Sequence, residues 1–217
     1  LYNLRKIGTY KTGVHRPTLT EDDMRARRWL KDELGKIGHD AHIDGVANVV
    51  GFSPASGPKL ICGSHLETQN HAGWLDGALG VVYALEAARY LQETGAEFGV
   101  DVIAFSDEEG HFGELTGSNS LIGNVTEDML DNAEDRTSGK KLRDALSDNG
   151  LSDVPRVILD ANRYVGMFEA HIEQGPSLEN DSKRIGIVTS IVGSWQYKLT
   201  AIGAQNHAGT TRMDIRK

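Results

Sequence analysis

The feature that most constrains the fold is the stretch 60–80, in which a short apolar run ends in a histidine. The apolar residues 60–62 predict a strand that is buried on both faces, and His65 follows directly after it. Asp76 comes eleven residues after His65, just before a glycine and a long helical pattern. Ligands in open α/β sheets collect beyond the carboxyl ends of the strands, so this stretch predicts a site at that edge of a sheet.

Two later predicted strands also end in side chains that can bind a metal ion. The run 102–105 leads into Glu108 and Glu109, and the run 167–170 leads into His171. We predict a strand at 167–172 for the second of these. Three strands that end in this way would bring their polar side chains to one rim of the sheet.

The remaining patterns predict an α/β domain. One helix is expected from an N-cap at Thr20 to a stop at Gly38, and a second helix at 77–93 would join two parallel strands by a right-handed crossover. Short antiparallel strands at 41–43 and 48–51 are expected at the sheet edge. The predicted fold class is therefore α/β, with a mixed central sheet and flanking helices.

The last part of the sequence predicts the start of a second domain. Strands are expected at 184–192 and 195–202, followed by a loop around His207 that leads towards a helix. A strand and the start of a helix cannot bury a core. We therefore expect residues 193–217 to be the truncated start of a second domain in a longer polypeptide, with the first domain at 1–192.

Composition restricts the class of protein. The chain has 217 residues, of which 39% are hydrophobic and 25% charged, as in an ordinary globular protein. The formal net charge of −8 argues against non-specific nucleic-acid binding, and no apolar run approaches the ~20 residues that span a bilayer. The single Cys62 fits a reducing compartment, so we expect a cytoplasmic protein with no nucleic-acid and no membrane partner.

The candidate ligands favour particular metals. His65, Asp76, Glu109 and His171 offer two nitrogen and two carboxylate ligands, which suit Zn²⁺, Mn²⁺, Co²⁺ or Ni²⁺. A carboxylate can also bridge two ions about 3.5–4 Å apart, as in hydrolytic two-metal sites.

The adjacent Glu108 and Glu109 can reach one site only if the chain turns there, because neighbouring strand residues point to opposite faces. Gly110 makes such a turn easy. A metal ion that neutralises one carboxylate would leave the other as a general base. An isolated acidic pair is more often simply exposed to solvent, but a position at the end of an interior strand favours a site.

Four motifs together resemble one family. GSHLETQ followed by DGALG, FSDEEG, EAHIEQGP and NHAGTT occur in the order found in the amidase/hydantoinase family of dinuclear metallohydrolases. That family includes N-carbamoyl-L-amino-acid amidohydrolases, allantoate amidohydrolases and β-ureidopropionases, and is related to metal-dependent exopeptidases. The resemblance covers nearly the whole chain. It implies a zinc-exopeptidase-like catalytic domain at 1–192, the start of an α+β lid and dimerisation domain at 193–217, and a homodimer.

The resemblance also implies a role for each site residue. His65 and His171 would be terminal metal ligands, and Asp76 would bridge two ions. Glu109 would bind the ion opposite His171, and Glu108 would be the general base.

Two further residues gain roles from the resemblance alone. Gln174 would contact the substrate, and His207 would polarise the scissile carbonyl, often in the site of a partner subunit. Glu67 stands where the family usually has an aspartate, and we expect its carboxylate to orient His65. The last metal histidine and the substrate-binding arginine are expected beyond Lys217.

The implied activity is hydrolysis of a carbamoyl or ureido C–N bond in a small molecule, with release of ammonia and carbon dioxide. The implied cofactors are two divalent metal ions, Zn, Mn, Co or Ni. A metal-dependent exopeptidase would share every ligand, and the motifs HIEQGP and NHAGTT favour the amidase. A non-catalytic binding protein on the same fold is a third reading, although it would have no use for Glu108.

Overall fold

The computed structural model describes residues 1–195, 197 and 199–217, which form two compact units, Leu1–Ile172 and Glu173–Lys217. The first unit contains a five-stranded mixed sheet with helices on its two faces, and a separate two-stranded hairpin. The predicted α/β class with a mixed sheet and flanking helices is confirmed.

The helices are α1 (Tyr2–Arg5), α2 (Glu21–Lys36), α3 (Ala78–Glu93), α4 (Thr116–Leu121), α5 (Glu127–Asn132), α6 (Leu142–Asp148) and α7 (Ser177–Asn180). The strands are β1 (Thr9–Tyr10), β2 (Gly13–Val14), β3 (Asp40–Ile43), β4 (Val49–Phe52), β5 (Lys59–His65), β6 (Gly99–Phe105) and β7 (Tyr164–Phe168). Short 3₁₀ turns cover Ala161–Arg163 and Met213–Ile215. Among the described residues, every helix is too short or too polar to cross a lipid bilayer.

The sheet order brings three strand ends to one edge. The strands lie in the order β3-β4-β6-β5-β7. The strand β4 is antiparallel to both β3 and β6, and β5 is parallel to both β6 and β7. His65 is level with Phe105 of β6, and Cys62 is level with Phe168 of β7. The loops after β5, β6 and β7 therefore leave the sheet on the same side.

The two long helices begin and end where the sequence predicts. The hydroxyl of Thr20 accepts a hydrogen bond from the Asp23 N–H at the start of α2, and Gly38 follows its end with φ +79°. The helix α3 begins after Gly77 and joins the parallel strands β5 and β6, as expected.

Alternate residues of β6 face two different layers. Val102 and Ala104 pack with apolar residues of α2 and α3, whereas Ile103 and Phe105 pack with Leu121 of α4. All four β6 residues are buried, so the strand that leads to the acidic pair is held from both faces.

The third strand differs from the prediction. The strand expected at 167–172 is β7, which begins at Tyr164 and ends at Phe168, before His171. Its pairing with β5 extends only to the Cys62–Phe168 pair, so the ladder cannot hold the following residues extended. His171 lies in the loop beyond the strand.

The strand predicted at 184–192 is wrong, because these residues have no regular secondary structure. Their apolar side chains, such as Ile187 and Ile191, are exposed, and no described residue pairs with their backbone as a strand. The strand predicted at 195–202 includes residues 196 and 198, which lie outside the described residues. The predicted domain boundary at 192/193 stays a prediction. The two compact units of the structure divide after Ile172.

Candidate functional site

Three of the four predicted metal ligands lie together beyond the ends of the strands. His65 is the last residue of β5, Asp76 lies just before α3, and Glu109 lies in the turn after β6. One ligand atom from each lies within 4.8 Å of the others. The Nε2 atom of His65 lies 3.9 Å from both Asp76 Oδ1 and Glu109 Oε1.

His171 contacts the same cluster through Asp76. Its Nε2 atom lies 3.2 Å from Asp76 Oδ1, the oxygen that also faces the His65 ring. One oxygen of the Asp76 carboxylate therefore lies within 4 Å of two imidazole nitrogens. His171 thus joins the site through Asp76 and lies outside the group of three whose ligand atoms are all within 4.8 Å of one another.

Hydrogen bonds on the far side of each ring decide which nitrogen faces the cluster. His65 Nδ1 lies 2.9 Å from the Glu67 carbonyl oxygen, and His171 Nδ1 lies 2.6 Å from the Ile172 carbonyl oxygen. Because a carbonyl oxygen only accepts, each Nδ1 carries a proton and each neutral ring turns the lone pair of Nε2 towards a carboxylate. A cation between lone pair and carboxylate would stabilise this contact, so the donor set fits a divalent metal ion.

The carboxylates around His65 also favour a cation at this site. Burial alone would lower the pKa of His65, but the carboxylates of Glu67, Glu109 and Asp76 and the hydrogen bond to the Glu67 carbonyl outweigh it and raise that pKa. Positive charge is therefore favoured at this point.

Gly77 is needed where the loop passes the His65 ring. Its φ is +66°, and a Cβ atom there would lie 2.4 Å from His65 Nδ1. Any side chain would displace the ring, so the glycine after Asp76 is part of how the ligands come together.

The adjacent glutamates lie in a turn that begins earlier than predicted. Asp107 has a φ of +61° and Gly110 a φ of +65°, so two positions in the loop are left-handed. The Asp107 carboxylate accepts hydrogen bonds from the backbone N–H groups of His111 and Gly113 at 2.7 and 2.8 Å, and from the Thr116 hydroxyl at 2.6 Å. These bonds hold the turn in a conformation that a non-glycine residue rarely adopts.

Glu108 lines a cavity of about 410 Å³ together with His65, whereas Glu109 is not among the residues that line it. Glu108 Oε1 accepts a hydrogen bond from the Ser118 N–H at 3.2 Å. Burial raises the pKa of the Glu108 carboxyl and the charge of Glu67 adds to this effect, although the hydrogen bonds from Ser118 and the charge of His65 oppose it. A half-buried carboxyl of this kind can exchange a proton with a reactant.

The expectation for Glu67 is wrong in one respect. His65 is oriented by the backbone carbonyl of Glu67, while the carboxylate accepts from the Glu108 N–H and from Arg27 Nη2, both at 2.6 Å. The longer side chain reaches past the histidine, so Glu67 supports the acidic pair through Glu108.

Sequence reasoning missed the buried ion pair beneath these residues. Arg27 and Asp23 are completely buried on α2, with Arg27 Nε 2.9 Å from Asp23 Oδ2. Arg27 also donates to the carbonyl oxygens of Ala47 and Phe105 at 2.8 and 3.1 Å. A signal was present, because residues 23 and 27 lie on the same helical face as the apolar Leu30 and Leu34.

Gln174 and His207 belong to the second unit, and both are exposed. Gln174 lies just before α7. His207 Nδ1 accepts from the N–H groups of Gly209 and Thr210 at 3.1 and 3.2 Å, so the neutral ring carries its proton on Nε2. The ring can thus donate a hydrogen bond through Nε2.

A larger cavity of about 700 Å³ lies elsewhere in the first unit, with His15, Arg28 and Lys140 among its lining residues. None of the predicted site residues, all of which the structure describes, lines this cavity. Of these two cavities, the one beside Glu108, which His65 also lines, adjoins the ligand cluster.

Known proteins with similar sequences have names that refer to C–N bond hydrolysis. Allantoate deiminase 2 of Glycine max is 33% identical over 234 residues, covering 100% of this chain and 47% of that protein. The N-carbamoyl-L-amino-acid amidohydrolase of a Pseudomonas species is 32% identical over 226 residues, covering 99% and 54%. Allantoate amidohydrolase of Bacillus subtilis is 36% identical over 214 residues, covering 94% and 51%. The chain thus spans about half the length of these relatives.

A solved structure shares the fold. A hydantoinase/carbamoylase family amidase from Burkholderia phymatum superimposes with a TM-score of 0.86 at 46% identity, covering 99% of this chain and 54% of that one. The model of peptidase family M20/M25/M40 matches residues 40–214, which include every candidate site residue. Because this match covers most of the chain, the protein belongs to peptidase family M20/M25/M40.

Proposed function

We propose that this protein is a metal-dependent amidohydrolase that cleaves a carbamoyl or ureido C–N bond and releases ammonia and carbon dioxide. The substrate would be an N-carbamoyl-L-amino acid, N-carbamoyl-β-alanine or an allantoate-like molecule. The observation that carries the proposal is the Asp76 carboxylate, one oxygen of which lies within 4 Å of the Nε2 atoms of both His65 and His171. The names of the similar proteins, amidohydrolase and allantoate deiminase, support the substrate class.

The proposed cofactors are two divalent ions, drawn from Zn, Mn, Co and Ni. His65, Asp76 and Glu109 would hold one or both ions together with His171, and Asp76 is placed to be shared. Bound ions would lower the pKa of a water molecule and polarise the carbonyl of the substrate.

The acid–base work falls to Glu108. Its carboxyl lies at the cavity beside His65, and burial holds its pKa above the usual range. We propose that the carboxylate takes a proton from the attacking water and passes it to the departing nitrogen. The Ser118 N–H would hold Glu108 Oε1 while the proton is on the carboxyl group. The cavity of about 410 Å³ has the size of a small-molecule site.

For His207 we propose a hydrogen bond to the scissile carbonyl, and for Gln174 a contact to the substrate, as the family resemblance implies. The Nε2 proton of His207 is what such a donor needs. His207→Ala should lower turnover by about 10²–10³ with metal content unchanged, the usual effect of losing one oxyanion donor.

We further propose a homodimer in which His207 serves the partner's site. Mixing His207→Ala with Glu108→Gln subunits should then restore activity, and no recovery after demonstrated subunit exchange would contradict this.

A metal-dependent exopeptidase is the second candidate, because the matching family model is that of a peptidase family. Such an enzyme would use the same ligands on a peptide bond. It would release an amino acid from a peptide and no ammonia.

Assays for product release distinguish the two activities. The full-length protein, loaded with Mn²⁺, Zn²⁺, Co²⁺ or Ni²⁺, is tested on N-carbamoyl amino acids, N-carbamoyl-β-alanine, allantoate, ureidoglycolate and dipeptides. We expect metal-dependent ammonia release from at least one carbamoyl or ureido compound. Cleavage of dipeptides without ammonia release from any ureido compound would overturn the proposal in favour of the exopeptidase.

A further inference from the structure

Gln69 makes two hydrogen bonds to one metal-ligand candidate. Its Nε2 lies 2.9 Å from the backbone oxygen of Glu109 and 2.6 Å from Glu109 Oε2. Gln69 is half-buried in the loop between His65 and Asp76, so two parts of the site are joined by this one amide.

The orientation of the Gln69 amide is fixed by its second partner. Its Oε1 accepts a hydrogen bond from Arg136 Nη2. A guanidinium only donates and an ionised carboxylate only accepts, so the oxygen must face Arg136 and the NH₂ group must face Glu109. The order Arg136, Gln69, Glu109 therefore has one direction and cannot be satisfied by a flipped amide.

The two oxygens of the Glu109 carboxylate have different surroundings. Oε2 is held by Gln69, whereas Oε1 lies 3.9 Å from His65 Nε2, inside the ligand cluster. We propose that Gln69 is a positioning residue, itself held by Arg136, which fixes Glu109 so that Oε1 alone is presented to a metal ion. This inference rests on the metal site of the proposed function and does not depend on which substrate is cleaved.

The neighbouring Asn70 provides a matched control. It has an amide side chain on the same loop and also contacts the segment near Arg136, donating to the Thr137 hydroxyl at 3.1 Å. Asn70 is exposed and this is a contact outside the ligand cluster. Loss of its amide tests loop tethering without touching Glu109.

Metal affinity is the most direct readout. Metal-free full-length protein is titrated with Co²⁺, followed by visible absorption and by competition with a chromophoric chelator. In Gln69→Met, which keeps the side-chain length, we expect one Co²⁺ to bind 10–100-fold more weakly, the usual effect of losing a residue that orients a ligand. The second Co²⁺ should bind as in the wild type. Asn70→Ala should bind both ions normally.

The Arg136 variants test the second link. Arg136→Met should weaken the same Co²⁺ by a smaller factor, and Arg136→Lys, which keeps a cationic donor, should retain affinity. If Gln69→Met does not fold, as judged by circular dichroism, the exposed Arg136 still tests the proposal, and wild-type affinity in Arg136→Met would then contradict it.

The possible results separate this inference from the proposed reaction. Unchanged Co²⁺ affinity in Gln69→Met, or an equal loss in Asn70→Ala, would overturn the positioning role. Failure of the wild type to bind Co²⁺ would overturn it together with the metal site. Normal Co²⁺ binding with the expected Gln69→Met loss, but no ammonia release from any substrate, would remove the proposed reaction alone.

Discussion

Glu108 and Glu109 are chemically identical neighbours that the fold places in different surroundings. Glu109 faces the imidazole of His65 and is held by the amide of Gln69. Glu108 faces a cavity, accepts from the Ser118 N–H and has a raised pKa because of burial. The comparison shows that the turn, and not the residue type, distinguishes a candidate metal ligand from a candidate base.

The turn is itself supported from two directions. Asp107 adopts a left-handed conformation at φ +61° and binds the following backbone N–H groups. The Glu67 carboxylate also accepts a hydrogen bond from the Glu108 N–H, and the buried Arg27 donates a hydrogen bond to the same carboxylate. Substitutions in the turn and in the buried Glu67–Arg27 contact should therefore have different effects on Glu108 and Glu109.

The largest expected effect separates the two glutamates. Glu108→Gln keeps the shape of the side chain but removes the base, so turnover should fall by about 10²–10⁴ with normal metal content. Glu109→Gln should instead reduce the occupancy of one metal ion. Steady-state kinetics and metal analysis of both variants make the comparison, and the reverse pattern would show that the two roles are exchanged.

Loss of the buried arginine should affect stability. Arg27→Met leaves Asp23 and Glu67 buried without their partner, so the free energy of unfolding should fall by about 3–5 kcal/mol, as for one partner of a buried ion pair. Denaturant unfolding measures this. Arg25→Met is the matched control on the same helix, since its ion pair with Asp22 is largely exposed and should be worth only about 0.2–1 kcal/mol. Equal effects in both variants would contradict the account of the network.

A smaller effect is expected within the turn. Thr116→Val removes a 2.6 Å hydrogen bond to the Asp107 carboxylate without changing the side-chain shape, and should lower the free energy of unfolding by about 1.5–3 kcal/mol. Thr94→Val is the control, because its hydroxyl donates to a carbonyl at an exposed helix end. If Thr116→Val is no less stable than the wild type, the turn does not depend on this bond.

The sequence was most informative where local pattern and ligand type coincide. An apolar run that ends in His65, and another that ends in the acidic pair, predicted both the strands and the shared edge, because parallel strands must end on the same side. Gly38 and Gly77 likewise marked helix boundaries that the structure retains.

Other features depend on contacts between distant residues. Gln69 carries no sequence signal for its bond to Glu109, forty residues away in the chain. The left-handed Asp107 is imposed by hydrogen bonds of its own carboxylate, so the predicted turn at Gly110 was only its second half. The strand expected at 184–192 had the right apolar pattern but lacks a pairing partner among the described residues, and pattern alone does not supply one.

The central proposal is that Asp76, which lies within 4 Å of both His65 and His171, serves two ions. The most direct test is metal stoichiometry, measured by inductively coupled plasma mass spectrometry on Asp76→Asn and His171→Ala in the full-length protein. We expect Asp76→Asn to lose both ions, because it removes the charge shared between them, and His171→Ala to lose chiefly one. Loss of the same single ion in both variants would contradict the shared carboxylate and indicate a mononuclear centre.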